Sequence, residues 1–146
     1  MIALLQRVSQ ASVVVDAKTI ASIGQGLLVL IGIQPDDGEA QARRMVERTL
    51  GYRMFEDASG KMNRSLLDIE GELLLVPQFT LAADTRQGMR PGFSTAATPE
   101  LARQWFERVV ALSEQQISSV QTGQFGADMK VALINEGPVT FWLEAQ

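Results

Sequence analysis

The run GLLVLIGI at residues 26–33 is apolar at every position apart from its glycines, so it leaves no polar face for solvent. A strand is written this way when both of its faces are covered. The run therefore belongs at the centre of a sheet, with a layer packed on each side. Strand-like segments surround it. IALLQRV, SVVVD and TIASIG come before it; ELLLVPQFTLA, SSVQTGQFG, DMKVALIN and VTFWLE come after. Two helices complete the pattern. Asp36 or Asp37 is placed to cap the first, in which Ala42, Met45, Val46, Thr49 and Leu50 fall on one helical face. The second lies in TPELARQWFERVVALSEQQ, with Thr98 at the N-cap and Pro99 at the first helical position. Its apolar stripe reads Leu101, Trp105, Val109 and Leu112. FEDASGKMNRS reads as a turn-rich loop. No repeat, low-complexity tract or linker divides the 146 residues, so the expectation is one α+β domain over 1–146.

Hydrophobic residues at 46% and charged ones at 21% suit a soluble globular chain. No apolar run approaches the ~20 residues of a membrane helix, and the N-terminus has no signal-peptide pattern. Cysteine is absent, which removes any disulfide framework and makes a cytoplasmic location the expectation. Histidine is absent too. That excludes Ser-His-Asp and Cys-His nucleophile pairs and the ordinary zinc sites. GQGLL and GADMK match neither phosphate-loop nor dinucleotide patterns, and the acidic residues do not cluster, so no cofactor or metal is expected. Chemistry is left to hydroxyls, backbone N–H groups, carboxylates, lysines or the substrate itself. The net charge of −4 argues against a general nucleic-acid binder, DNA included. Arg43, Arg44, Arg48, Arg53, Lys61 and Arg64, followed by Arg86 and Arg90, are either separate solvated faces or a local basic patch.

Two strands are interrupted. In VPQFTLAAD (76–84) Pro77 breaks the ladder, and the segment is either a bulged edge strand or a place where backbone N–H groups turn outward. N–H groups released in this way can stabilise an oxyanion, with Gln78 and Thr80 offering an amide and a hydroxyl. In NEGPVT (135–140), Gly137-Pro138 sits between two strand-like runs. Read alone it is a trans turn, as most X-Pro bonds are; in the cis form it would fix two neighbouring carbonyls in one direction.

With these segments in view, the chain resembles the bacterial-type D-aminoacyl-tRNA deacylases. The likeness runs from end to end, through MIALLQRVSQASV, GLLVLIGI, GYRMFEDASGKMN, QFTLAADTRQGMRPGF, TGQFGADM and NEGPVTFWLE. It implies a β-barrel-like sheet flanked by two main helices, and a homodimer with active sites at the subunit interface. The implied reaction is hydrolysis of the ester between a D-amino acid and the 3′ end of tRNA. Gln78, Phe79, Thr80 and Leu81 would line the reaction site, with N–H groups near Phe79 and Thr80 facing the ester oxygen. Gly137 and Pro138 would be a cis pair inserted from one subunit into the other's pocket, and Arg7 would support their loop. Phe125 and Met129 would hold the terminal adenosine. Arg43, Arg44, Arg48, Arg86 and Arg90 would be candidate phosphate contacts. The family usually carries serine before this glutamine. Here Pro77 stands there, without hydroxyl or backbone donor, as in a related animal branch of the fold that tolerates some L-aminoacyl substrates.

The activated ester suits a site without histidine, since positioned water and a polarised carbonyl can suffice. A covalent route through Thr80 is the competing mechanism. Capture of the amino group by the Gly-Pro carbonyls would leave an L side chain striking the backbone, while glycine would escape rejection. Two rival readings are a deacylase of the same fold with relaxed chirality, and a catalytically silent module that binds the RNA end.

Overall fold

The computed structural model describes residues 1–146. Eight strands carry the fold: β1 (Ile2–Val15), β2 (Lys18–Ile23), β3 (Gly26–Gly32), β4 (Phe55–Glu56), β5 (Met62–Arg64), β6 (Glu72–Pro77), β7 (Val120–Thr122) and β8 (Lys130–Glu144). Three helices accompany them: α1 (Glu39–Gly51), the single turn α2 (Leu66–Ile69) and α3 (Pro99–Glu114). β1 pairs antiparallel with β3 over its first half and with β2 over its second, while β8 runs antiparallel along its other edge. β3, β6 and β7 continue the sheet in parallel. The sheet curls until β2 faces β7, where the Ser22 N–H donates to Gln121 Oε1 at 2.7 Å, and a barrel is nearly closed.

The apolar run at 26–33 is central as its composition requires. Leu27, Val29 and Ile31 of β3, with Leu73 and Leu75 of β6, pack under the helices against Met45, Val46 and Leu50 of α1 and Phe106, Val109 and Leu112 of α3. On the opposite face Leu28, Leu74 and Val76 fill the barrel interior with Val8, Val13, Ala21 and Ile23. Both faces of β3 and β6 are thus withdrawn from water, at roughly 25 cal/mol per Å² of apolar surface.

Several local expectations are corrected. IALLQRV and SVVVD form one strand of 14 residues, not two, because the chain bends without breaking while it changes neighbours from β3 to β2. DMKVALIN and VTFWLE are likewise one strand, β8, running through Gly137-Pro138. The loop at 55–64 contains the hairpin β4–β5, its turn organised by Asp57, which accepts from Ser59, Lys61 and Asn63. These hydrogen bonds hold the Asp57 carboxyl well below the usual carboxylate range.

Neither Asp36 nor Asp37 caps α1. The N-cap is Gly38, whose N–H donates to Gln41 Oε1 at 2.9 Å. Asp37 instead accepts from the Gln34 N–H at 2.7 Å and from the Met1 amino group at 2.6 Å. The buried side of α1 is Ala42, Met45, Val46, Thr49 and Leu50, as the spacing predicts. Thr98 caps α3 and Pro99 opens it, also as read. Val109 and Leu112 are buried as the stripe predicts, while its first half is displaced by one residue to Ala102 and Phe106, with Leu101 and Trp105 half-buried. The apolar arc of this helix is wide enough for either stripe, and the small Ala102 lets it approach the sheet.

Candidate functional site

β6 ends where proline withholds a ladder donor. Pro77 is still in register with Ile31 of β3, and the Gln78 N–H makes a last bond to the Ile31 carbonyl at 2.8 Å. The chain then turns into a 3-10 segment over Phe79–Ala82. The first N–H groups of a helical turn have no acceptor inside it, and here these are the N–H groups of Phe79 and Thr80. Both residues are exposed. The interruption read in the sequence is therefore a strand end that leaves two backbone donors without a partner in the chain.

Beside it lies a cleft of 490 Å³, lined by Pro77, Gln78 and Phe79 on one side and by Ala102, Phe106 and Phe125 on another. None of its lining residues is charged, and none comes from β8. Phe79 and Phe93 form a tilted pair at its mouth, ring centres 5.3 Å apart, and Phe79 is 56% exposed despite its size. Met129 stands behind the wall, not on it: its sulfur accepts from the Gln124 N–H at 3.4 Å. A Cβ at Gly123 would meet that sulfur at 2.8 Å and Pro77 Cδ at 3.4 Å. Pro77, Gly123 and Met129 are thus packed together, and the turn bearing Phe125 is set by that packing.

Thr80 and Leu81 face a separate depression of 460 Å³ that they share with Asp84, Arg86 and Trp142. The Thr80 hydroxyl accepts from Gln78 Nε2 at 2.6 Å. The carboxylate in this depression is Asp84, which takes a forked pair of bonds from Arg86, both at 2.8 Å. Arg86 holds the Asp84 carboxyl well below the usual range, so Asp84 is a poor base for a threonine nucleophile.

The second interruption is built differently. On β8 the register with β1 jumps from Thr140 opposite Gln6 to Asn135 opposite Val8, so residues 136–139 bulge out facing Arg7 alone. The Gly137-Pro138 peptide is cis, where the residues read alone favour trans. Asn135 ties the bulge together: its Oδ1 accepts from the Val139 N–H at 2.7 Å, and its Nδ2 donates to Thr140 Oγ1 at 2.9 Å. Arg7, 9% exposed, donates from Nε to the Glu136 carbonyl at 2.8 Å and from an η nitrogen to the Met54 carbonyl at 2.9 Å. Gly137 and Pro138 themselves are exposed at the tip.

The two interruptions do not meet within one chain. Pro77 is level with Ile31 of β3 and Arg7 with Leu27, a separation of roughly 13 Å along the strands. Three strand spacings, about 14 Å, add to this across the sheet. The candidate site thus falls into two halves, a cleft with unpartnered N–H groups and a rigid carbonyl-bearing loop, each open to solvent.

Comparison with known proteins now decides the family. The family description D-Tyr-tRNA(Tyr) deacylase matches residues 4–144. The chain belongs to this family. It is 61% identical to the D-aminoacyl-tRNA deacylase of Thioalkalivibrio sulfidiphilus (strain HL-EbGR7), over 99% of this chain and 97% of the relative. It is 58% identical to that of Alkalilimnicola ehrlichii (strain ATCC BAA-1101 / DSM 17681 / MLHE-1), over 100% and 97%. Among solved structures, one described as c-Myc DNA Unwinding Element Binding Protein superposes with a TM-score of 0.96 at 38% identity, covering 100% of this chain and 99% of that one. Another, described as a probable eukaryotic D-amino acid tRNA deacylase, has a TM-score of 0.84 at 19% identity over 98% of both chains, a likeness of fold.

The basic residues of this deacylase-family chain are mostly spent internally. Arg43 and Arg108 both pair with Glu39, at 3.1 and 2.5 Å, and Arg44 pairs with Glu47 at 3.1 Å. Arg48 lies over Tyr52, 5.9 Å from the ring centre, and donates to the Glu144 carbonyl. Arg86 is taken by Asp84, which leaves Arg90, of the five expected phosphate contacts, with no polar partner in the chain. Of the eight basic residues read as separate faces or a local patch, Arg43, Arg44 and Arg86 are offset by carboxylate partners. Sequence reading missed Phe93, Phe106 and Ala102 as cleft walls, and it missed Arg103, whose guanidinium sits 4.8 Å from the Phe125 ring centre.

Proposed function

We propose that this chain hydrolyses the ester of D-aminoacyl-tRNA, releasing free amino acid and tRNA, and that it spares L-aminoacyl-tRNA. Family membership supports the reaction class. The observation that carries the site assignment is the Gln78–Phe79–Thr80 turn, which sets two unpaired backbone donors between the apolar cleft lined by Phe79 and the depression lined by Thr80. The terminal adenosine enters the cleft against Phe125, its wall braced by Met129. The ester carbonyl oxygen lies against the Phe79 and Thr80 N–H groups, which stabilise the charge that develops as water adds to the carbon. Water is the nucleophile: histidine is absent and the carboxylate near Thr80 is held in an ion pair.

Chirality is read by the second half of the site. The Gly137 and Pro138 carbonyls of a second copy accept from the substrate's amino group, and an L side chain then meets the Gly-Pro backbone. The distance between the two halves within one chain is the reason to place this loop in trans, in a homodimer. Light scattering should return the mass of two chains, and a monomer with full activity would remove the trans assignment. β8 is a long edge strand with Ile134 and Trp142 exposed, the sort of edge that pairs with another chain.

Pro77 favours one second reading, a same-fold deacylase with relaxed chirality, because it withdraws a donor at the lip of the site. Two substitution and substrate tests bear on the mechanism. Thr80→Val should keep hydrolysis of D-tyrosyl-tRNA within about threefold of the native rate, since the backbone N–H remains; loss by about 10⁴-fold would establish a covalent hydroxyl route. Glycyl-tRNA, including glycine mischarged on tRNA-Ala, should be hydrolysed, because it has no side chain to clash. A chain inert toward both glycyl- and L-aminoacyl-tRNA would contradict exclusion by the Gly-Pro backbone.

A further inference from the structure

Arg103 is exposed on the first turns of α3, with its guanidinium carbon 4.8 Å from the centre of the Phe125 ring. Glu100 and Glu107 lie three residues before it and four after, the spacings at which an arginine pairs along a helix. Arg103 makes an ion pair with neither, whereas Arg43, Arg44, Arg86 and Arg108 all have carboxylate partners. Its cation is left free at the lip of a cleft whose own lining carries no charge. A guanidinium stacked on a ring uses its flat face and keeps its N–H edge open, and that edge fits a phosphate in a forked geometry.

We propose that Arg103 is the phosphate contact for the RNA end, holding the backbone phosphate adjoining the nucleoside that seats against Phe125. The inference rests on the reading that the cleft receives the terminal nucleoside. Phe125 then works between two partners. A base stacks on the aromatic ring, and the cation beside the ring ties the base's own phosphate to the same spot. Recognition is concentrated within one nucleotide, which suits a chain of net charge −4 in which Arg43, Arg44, Arg86 and Arg108 are each paired with a carboxylate. Arg103 is a positioning residue and touches no reacting atom.

The test compares Arg103→Gln and Arg103→Lys with the native chain and with Lys18→Gln, a control on the exposed strand β2. Hydrolysis of D-tyrosyl-tRNA is followed across a salt series. For Arg103→Gln we expect KM raised about tenfold, kcat within about twofold, and the slope of log(kcat/KM) against log salt shallower by about 0.7, the value for one single-strand phosphate contact. Arg103→Lys should keep the native salt slope and recover part of the KM loss, and Lys18→Gln should match the native chain. Unchanged KM and slope in Arg103→Gln would overturn the proposal. A raised KM with an unchanged slope would also overturn it, reducing Arg103 to a support for the Phe125 ring. If the native chain hydrolyses nothing, the functional reading itself has failed. Binding of uncharged tRNA by the same variants then still decides on Arg103, by the presence or absence of the same loss in affinity and slope.

Discussion

Gly137→Ala is expected to lower kcat/KM on D-aminoacyl-tRNA by at least about 100-fold while leaving the fold intact. Gly137 has φ +143°, a conformation that L side chains rarely adopt. A Cβ there would sit 2.7 Å from Val139 Cγ2 and 2.9 Å from the Val139 nitrogen. That nitrogen cannot retreat freely, because its N–H is bonded to Asn135 Oδ1 at 2.7 Å. The strain is about 1–3 kcal/mol, and the loop relieves it by moving its carbonyls. A displacement of about 1 Å in a positioning group costs on the order of 100-fold in rate. The tip is exposed at Gly137 and Pro138, so the unfolding midpoint should fall by only a few degrees, roughly 2–4 °C per kcal/mol. Steady-state hydrolysis and a thermal melt check both parts. Native activity in this variant would mean that the loop takes no part in catalysis.

Arg7→Ala is expected to reduce stability and activity together. The buried guanidinium bonds the Glu136 and Met54 carbonyls, and so links the bulge in β8 to the segment that follows α1. It has no carboxylate partner, so these carbonyls are what hold its charge in place. Alanine leaves two acceptors without a donor and opens space where the guanidinium lay. The loss is on the order of 3 kcal/mol, from hydrogen bonds to a charged donor. A fall in the unfolding midpoint of roughly 6–12 °C follows, along with loss of hydrolysis comparable to that of Gly137→Ala. Arg7→Lys should recover little, because one ammonium lacks the planar fork that reaches both carbonyls. An unaltered melt in Arg7→Ala would show that the two hydrogen bonds contribute nothing to holding the loop.

The parts of this structure that were legible in the sequence are those fixed by local chemistry. The α1 face was readable because its residues recur with the helical period, and the start of α3 because Thr98 and Pro99 are cap and first-turn residues. GLLVLIGI announced a strand covered on both sides. Both strand interruptions were visible because proline cannot donate to a ladder. The rest depended on partners distant in sequence. Asp37 looks like a cap until Gln34 and the Met1 amino group claim it. The arginines of α1 look like a basic patch until Glu39 and Glu47 neutralise them. β1 looks like two strands because Ser9 and Gln10 are polar and exposed where it changes neighbours. The Arg103–Phe125 pair has no sequence signal, since only tertiary packing brings the turn after β7 against α3. The distance between the two halves of the site was equally hidden, and it is the structural reason for assigning the loop to a second copy.

In the proposed mechanism backbone groups alone, two N–H donors beside Pro77 and a Gly-Pro carbonyl pair, hydrolyse the ester and read its handedness. Hydrolysis of D-tyrosyl-tRNA and L-tyrosyl-tRNA by the purified chain, at the same enzyme and salt concentrations, tests this most directly. Rapid release of D-tyrosine is expected, with release of L-tyrosine no faster than the uncatalysed background. Equal hydrolysis of the two, or hydrolysis of neither, would contradict the mechanism.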